Sequence, residues 1–227
     1  MTRPAERRCG ARTLASITCV LLLGCVAGIA QERPQAADTG ADSEQSGAAG
    51  LAAAVSVVRR LHSALVDASA LEGVEARFEF LEDEIAATHD LEFIGRLTVR
   101  RQWREFSESQ RSDFTSSFQR LSVMSYAARF LNVDAGSFEP PVAESMSGGR
   151  IQVKSGIARA DGSTVVLEYL LQNEDSGWRI VNVIADGVSD IALKRAEYQA
   201  LYESGGFDAL VGEIETQTRD LAESVQT

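Results

Sequence analysis

The chain has 227 residues, 44% of them hydrophobic, with 22 basic against 33 acidic side chains. That length and apolar content suit one medium domain with a real core. The net charge of −11 disfavours nucleic acid and anionic membrane surfaces as direct partners.

Arg3, Arg7, Arg8 and Arg12 precede an apolar run from Leu14 to Ala30 that is rich in small residues. The run is short for a spanning helix and fits a secretory signal, with Gly28 and Ala30 positioned for cleavage before Gln31. Residues 1–30 are therefore expected to be a signal peptide. Leu22-Leu23-Gly24-Cys25 is similar to a lipobox, in which Cys25 would be acylated and tether the protein; an ordinary cysteine in the signal core is the competing reading. Cys9, Cys19 and Cys25 all lie in this segment, so the exported part has no disulfide or thiol chemistry. Removing its four arginines and one glutamate leaves 18 basic and 32 acidic groups, a net charge of −14.

Residues 31–50 contain almost no large apolar side chains and read as a disordered leader. Helical periodicity begins at Leu51, with Val55, Val58, Leu61 and Leu65 forming a core stripe. Gly73 separates this helix from a second bearing Phe78, Leu81 and Ile85. A third carries Leu91, Ile94 and Leu97. Continued as a helix, that segment would set Arg96, Arg100 and Arg104 on one face, either to bind a head group or acidic partner or as a solvated face. Ser107 and Gln110 have capping-box spacing. They open a helix with Phe114, Phe118, Leu121 and Met124 on one face and Val123, Tyr126 and Phe130 on the other. A helix apolar on both faces is buried on both.

Strand periodicity follows. Ile151, Val153, Ser155 and Ile157 alternate with polar residues, and Asp161-Gly162 is a hairpin signal. Val165, Leu167, Tyr169 and Leu171 share one face of the next strand. Trp178 to Ala185 forms the last, with Val181 and Val183 set opposite Ile180 and Ile184. Pro140-Pro141 confines any strand near Phe138 to an edge. Asp186-Gly187-Val188-Ser189 reads as a tight turn into an amphipathic helix containing Ile191 and broken at Gly205-Gly206. Residues 51–222 are thus one α+β domain with a mostly antiparallel sheet, and 223–227 a flexible tail. His62 and His89 stand 27 residues apart without ligand-spaced partners, so no metal site is expected.

From Leu51 to Leu221 the order of motifs resembles the MlaC family, periplasmic phospholipid shuttles of Gram-negative bacteria. The resemblance rests on Trp103, Gln110, Phe114, Phe118 and Tyr126-Ala127, then Trp178-Arg179-Ile180-Val181, Gly187-Val188-Ser189, Arg195, Tyr198, Gly206 and Leu210. Asn182 departs from the aspartate usual in the family, which puts a structural hydrogen bond in question. The resemblance implies a cone-shaped fold related to nuclear transport factor two-like domains, with a four-stranded sheet and terminal helices around an apolar cavity. It implies phospholipid or hopanoid cargo, an inner-membrane ABC transporter complex and an outer-membrane lipoprotein complex as partners, and no cofactor.

Two acyl chains of about 15 methylenes each carry on the order of 24 kcal/mol of transfer cost, which only an enclosing cavity offsets. Its expected lining is Phe106, Phe114, Phe118, Tyr126, Phe130, Val153, Val165, Leu167, Tyr169, Val181, Val183, Val188 and Ile191. Two other classes compete. An isomerase-type enzyme would use Asp186 and Tyr126, although Asp-Gly is a common turn pair. An adaptor would have aromatic residues that merely pack.

Overall fold

The computed structural model describes residues 39–159 and 162–225. The signal segment with Cys25, the start of the leader, Asp161 and the last two residues lie outside the described residues. The first helix, α1 (Thr39–Ser69), begins twelve residues before the expected start. Disorder over residues 39–50 is therefore corrected to helix. Gly50 lies beside the sheet: a Cβ there would make ordinary contact with Trp178 Cζ2 at 3.5 Å and Ile151 Cδ1 at 3.7 Å.

Part of this helix, Gln45–Ser69, is long and apolar enough to cross a membrane by length and composition. Its stripe of Ala54, Val58, Leu61 and Leu65 is instead fully buried in the core. Helices α2 (Val74–Thr88) and α3 (Leu91–Val99) follow, the latter capped by Asp90, whose carboxylate accepts from the Phe93 N–H at 2.9 Å. Arg100 leaves helical geometry and a 3-10 turn spans Gln102–Arg104. The expected capping box then opens α4 (Glu108–Arg129): Gln110 N–H donates to Ser107 Oγ, and Ser107 N–H donates to Gln110 Oε1. The first predicted face of α4 is buried at Phe114, Phe118, Leu121 and Met124; on the second, Val123 is buried while Tyr126 and Phe130 are half-buried.

The sheet has five strands in sequence order, β1 (Val142–Ser145), β2 (Ile151–Ala158), β3 (Thr164–Glu174), β4 (Gly177–Ala185) and β5 (Val188–Ser189), each pair antiparallel. Four were expected. The fifth arises because Asp186 (φ 49°) and Gly187 (φ 80°) make a two-residue hairpin turn, and Val188 and Ser189 pair back onto β4. As expected, the chain beside Pro140-Pro141 is an edge: Phe138 bridges to Ile157, and β1 follows. On β4 a bulge leaves Ile180 and Val181 both buried, which breaks the strict alternation expected there. Asn182 keeps a structural hydrogen bond, its Oδ1 accepting from Ser189 Oγ at 3.1 Å.

The last helix, α5 (Asp190–Ser224), is interrupted at Gly206, with φ 70° and ψ −157°. Gln217 nevertheless donates to the Glu197 carboxylate, twenty residues away. An unbroken helix would separate them by about 30 Å, so the chain reverses at Gly206. That conformation is almost restricted to glycine, and Gly206→Ala is expected to cost about 1–3 kcal/mol in denaturant titration. An unchanged midpoint would contradict the strain assigned to this turn.

Candidate functional site

Four rows of side chains cross the inner face of the sheet, and their burial falls along it. Ile151, Leu171 and Ile180 form a closed end, all buried. Val153, Tyr169 and Val183 come next, with the first two buried and Val183 half-buried. The row of Ser155, Leu167 and Ala185 follows, and Ala185 is exposed. Ile157 and Val165 end the series, both half-buried. The inner face is sealed at one end and open at the other.

A run of stacked rings adjoins this face. Tyr126 stacks on Phe130 with centroids 5.6 Å apart, Phe130 on Phe138 at 6.3 Å, and Phe138 on His62 at 4.1 Å. Tyr126, Phe130 and Phe138 pack against the core, yet all three keep accessible surface. Tyr126 does so while its hydroxyl reaches the buried imidazole of His89.

Two buried histidines anchor the rings. His62 Nε2 lies 3.0 Å from the Tyr169 hydroxyl, and His89 Nε2 lies 2.9 Å from that of Tyr126. The second chain has a fixed polarity. Thr88 Oγ1 gives its proton to the Glu84 carbonyl at 2.8 Å, so at 2.9 Å it accepts from His89 Nδ1–H. Nε2 is then the acceptor, and Tyr126 O–H donates to it. Burial pushes both imidazoles down to about 4, where they are neutral at ordinary pH. Burial raises Tyr126, helped by the charge of Asp190, and also raises Tyr169 well above the usual phenol range. Both pairs are therefore neutral hydrogen-bonded units in apolar surroundings, satisfied without charge.

The expected lining residues divide between two places. Val153, Val165, Leu167, Tyr169 and Val183 lie on the inner face of the sheet, and Tyr126 and Phe130 in the ring stack beside it. Phe106, Phe114 and Phe118 pack in the part of the core among the helices, with Phe106 edge-on to Phe207 at 5.0 Å and Phe114 stacked on Phe118 at 5.9 Å. Gly95 lets them in: a Cβ there would be 3.1 Å from Phe118 Cδ1. Val181 occupies the bulge, Ile191 is buried in the first turn of α5, and Val188 is 50% exposed on β5.

His62, His89, Phe138 and Ile157 were not expected as lining. His62 had a legible signal, since it stands four residues after Val58 and three before Leu65 on the buried stripe. His89 had none, because its place depends on a parallel bridge to Ile180.

The arginine face is corrected. α3 ends at Val99, so Arg100 and Arg104 do not continue the helical row begun by Arg96. The enzyme pairing also fails locally, because Asp186 is an exposed turn residue whose Oδ1 accepts from the Val166 N–H at 2.9 Å. Among the described residues, no group of three His, Cys, Asp or Glu side chains is placed to hold a metal ion.

No curated protein matches the chain. Among solved structures, the phospholipid-binding protein from Ralstonia solanacearum, determined in complex with a phospholipid, is similar to it with a TM-score of 0.64 at 16% identity. That match covers 76% of this chain and 98% of the other, and it shows a shared fold. The family described as MlaC protein matches residues 56–216, well over half of the sequence. With α2 to α4 and the whole sheet inside that span, and part of α1 and most of α5 with them, the chain belongs to the MlaC family.

Proposed function

We propose that the exported protein is a periplasmic lipid carrier that takes up the acyl chains of a phospholipid in the cleft between α4 and the sheet. The observation that carries this reading is the sheet's inner face, sealed at Ile151–Leu171–Ile180 and open at Ile157–Val165, with the stacked rings of Tyr126, Phe130 and Phe138 beside it. Membership of the MlaC family and the phospholipid bound by the Ralstonia protein support it. No chemistry at the cleft is required, since a carrier needs only apolar walls and satisfied polar groups.

Cargo is handed over between an inner-membrane ABC transporter complex and an outer-membrane lipoprotein complex. The protein itself does not insert stably into either bilayer, in keeping with its acidic charge. The site comprises the seven cleft residues named above, together with His62, His89 and Phe138.

Native mass spectrometry of protein purified from a Gram-negative host tests the reading. A bound phospholipid is expected, and Val165→Arg, at the half-buried open end, is expected to abolish most of it while circular dichroism stays unchanged. Protein that is empty under gentle purification, and stays empty when offered phospholipid vesicles, would refute the carrier. A triterpenoid mass would instead redirect the cargo to a hopanoid.

A further inference from the structure

We infer that a second site, independent of the lipid cleft, binds an acidic peptide segment of another protein. It is an open groove of about 570 Å³ between α3 and α4, bordered by Glu92, Arg96, Trp103, Arg111, Thr115 and Ser116. Its volume is within the usual range for ligand sites, but it is open and polar, which suits an extended chain better than an acyl tail.

The groove is cationic on an acidic protein. Its border carries two arginines, Arg96 and Arg111, against one carboxylate, Glu92, while the whole chain is −11. An acidic ligand is therefore repelled by most of the surface and steered here.

Arg111 is preorganised. Its guanidinium lies over the Trp103 ring at 5.6 Å, and its Nε donates to the Trp103 carbonyl at 3.1 Å. That leaves the two terminal nitrogens as a fixed fork of the kind that accepts a carboxylate in two hydrogen bonds. Arg96 is held over Phe93 at 5.7 Å and only loosely paired with Glu92 at 3.9 Å. Tryptophan and arginine side by side are the residue types that dominate binding energy at protein interfaces. The hydroxyls of Thr115 and Ser116, along one face of α4, can meet the backbone of a bound peptide.

The other flank of α4 sharpens the choice. A neighbouring groove of about 450 Å³ is bordered by Asp113, Asp208 and Glu215 and by no cation. The two flanks differ in sign across a single helix, so a ligand carrying carboxylates is accepted on one side and rejected on the other. A flat anionic membrane would meet both flanks at once, which favours a peptide.

The test uses the full exported chain, isotopically labelled, titrated with a hexaglutamate peptide and followed by amide and indole NMR signals. The Trp103 indole and amides of α3 and α4 are expected to shift, with the Trp178 indole unmoved. Binding should weaken with salt, as an exposed electrostatic contact does. Ser116→Glu, at an exposed helix position that leaves the fold intact, is expected to weaken it about tenfold, and the lipid content seen by native mass spectrometry is expected to stay unchanged. Three results would overturn the inference: shifts at Trp178 instead of Trp103, affinity indifferent to Ser116→Glu, or capture by phosphatidylglycerol vesicles without response to the peptide. The lipid readout keeps failure here separate from failure of the carrier reading.

Discussion

Acidification from about pH 7.5 to about pH 5 is expected to remove about 4 kcal/mol of folding stability, about 2 from each buried histidine. Both folded-state values are pushed down to about 4 from an ordinary 6.5, by burial first. In that window the unfolded chain binds protons that the folded chain refuses. Stability is therefore full above about pH 7, falls as pH drops through 6.5, and stops falling from this cause near 4. The groups facing the imidazoles do not cancel the effect: Tyr169 faces His62, and Tyr126 and Thr88 face His89, all uncharged in this range. Glu84, lowered by its exposed ion pair with Arg60, adds little because that pair is solvent-screened. Urea titrations at the two pH values measure the difference. The double variant His62→Gln/His89→Gln should lose most of the pH dependence, and a wild-type stability flat between them would show that the imidazoles are not held neutral.

Phe118→Ala is expected to cost about 3–5 kcal/mol and to leave the lipid carried per folded molecule unchanged. Phe130→Glu is expected to do the reverse, with a modest loss of stability and a large loss of lipid. The contrast follows from packing. Phe118 is 1% exposed and wedged between Phe114 and Gly95, so truncation opens a void that the helices cannot close. Phe130 stands at the end of α4 with part of its ring uncovered and stacks only on other rings of the cleft. Lipid-bound fractions from native mass spectrometry, set against denaturation midpoints, separate the two roles. Equal lipid loss in both variants would place Phe118 on the cavity wall after all.

Much of the architecture was legible in short-range chemistry. Ser107 and Gln110 announce α4, Gly206 announces the reversal in α5, and the period-two runs give β2, β3 and β4 within a few residues. These signals are local, so they survive without knowledge of the partners. The site was less legible because its parts meet only in three dimensions. Phe114 and Tyr126 lie on the two apolar faces of one helix, yet the first packs on Phe106 and Tyr198 while the second meets His89. The faces were legible within α4, but what each would meet was not. Arg96, Arg100 and Arg104 misled for the opposite reason: their spacing was helical, but the helix ended at Val99. Residues 45–50 of α1 were missed because they are small or polar and mostly exposed, and so carry no apolar stripe.

The graded inner face of the sheet also has a length. Six residue steps separate Val165 from Leu171, about 20 Å of extended strand. Half of a bilayer's hydrocarbon core is about 15 Å deep. In the carrier reading proposed above, a tail drawn in from the rim would exchange one leaflet for a protein wall of comparable depth, with the buried far end as the limit on its length.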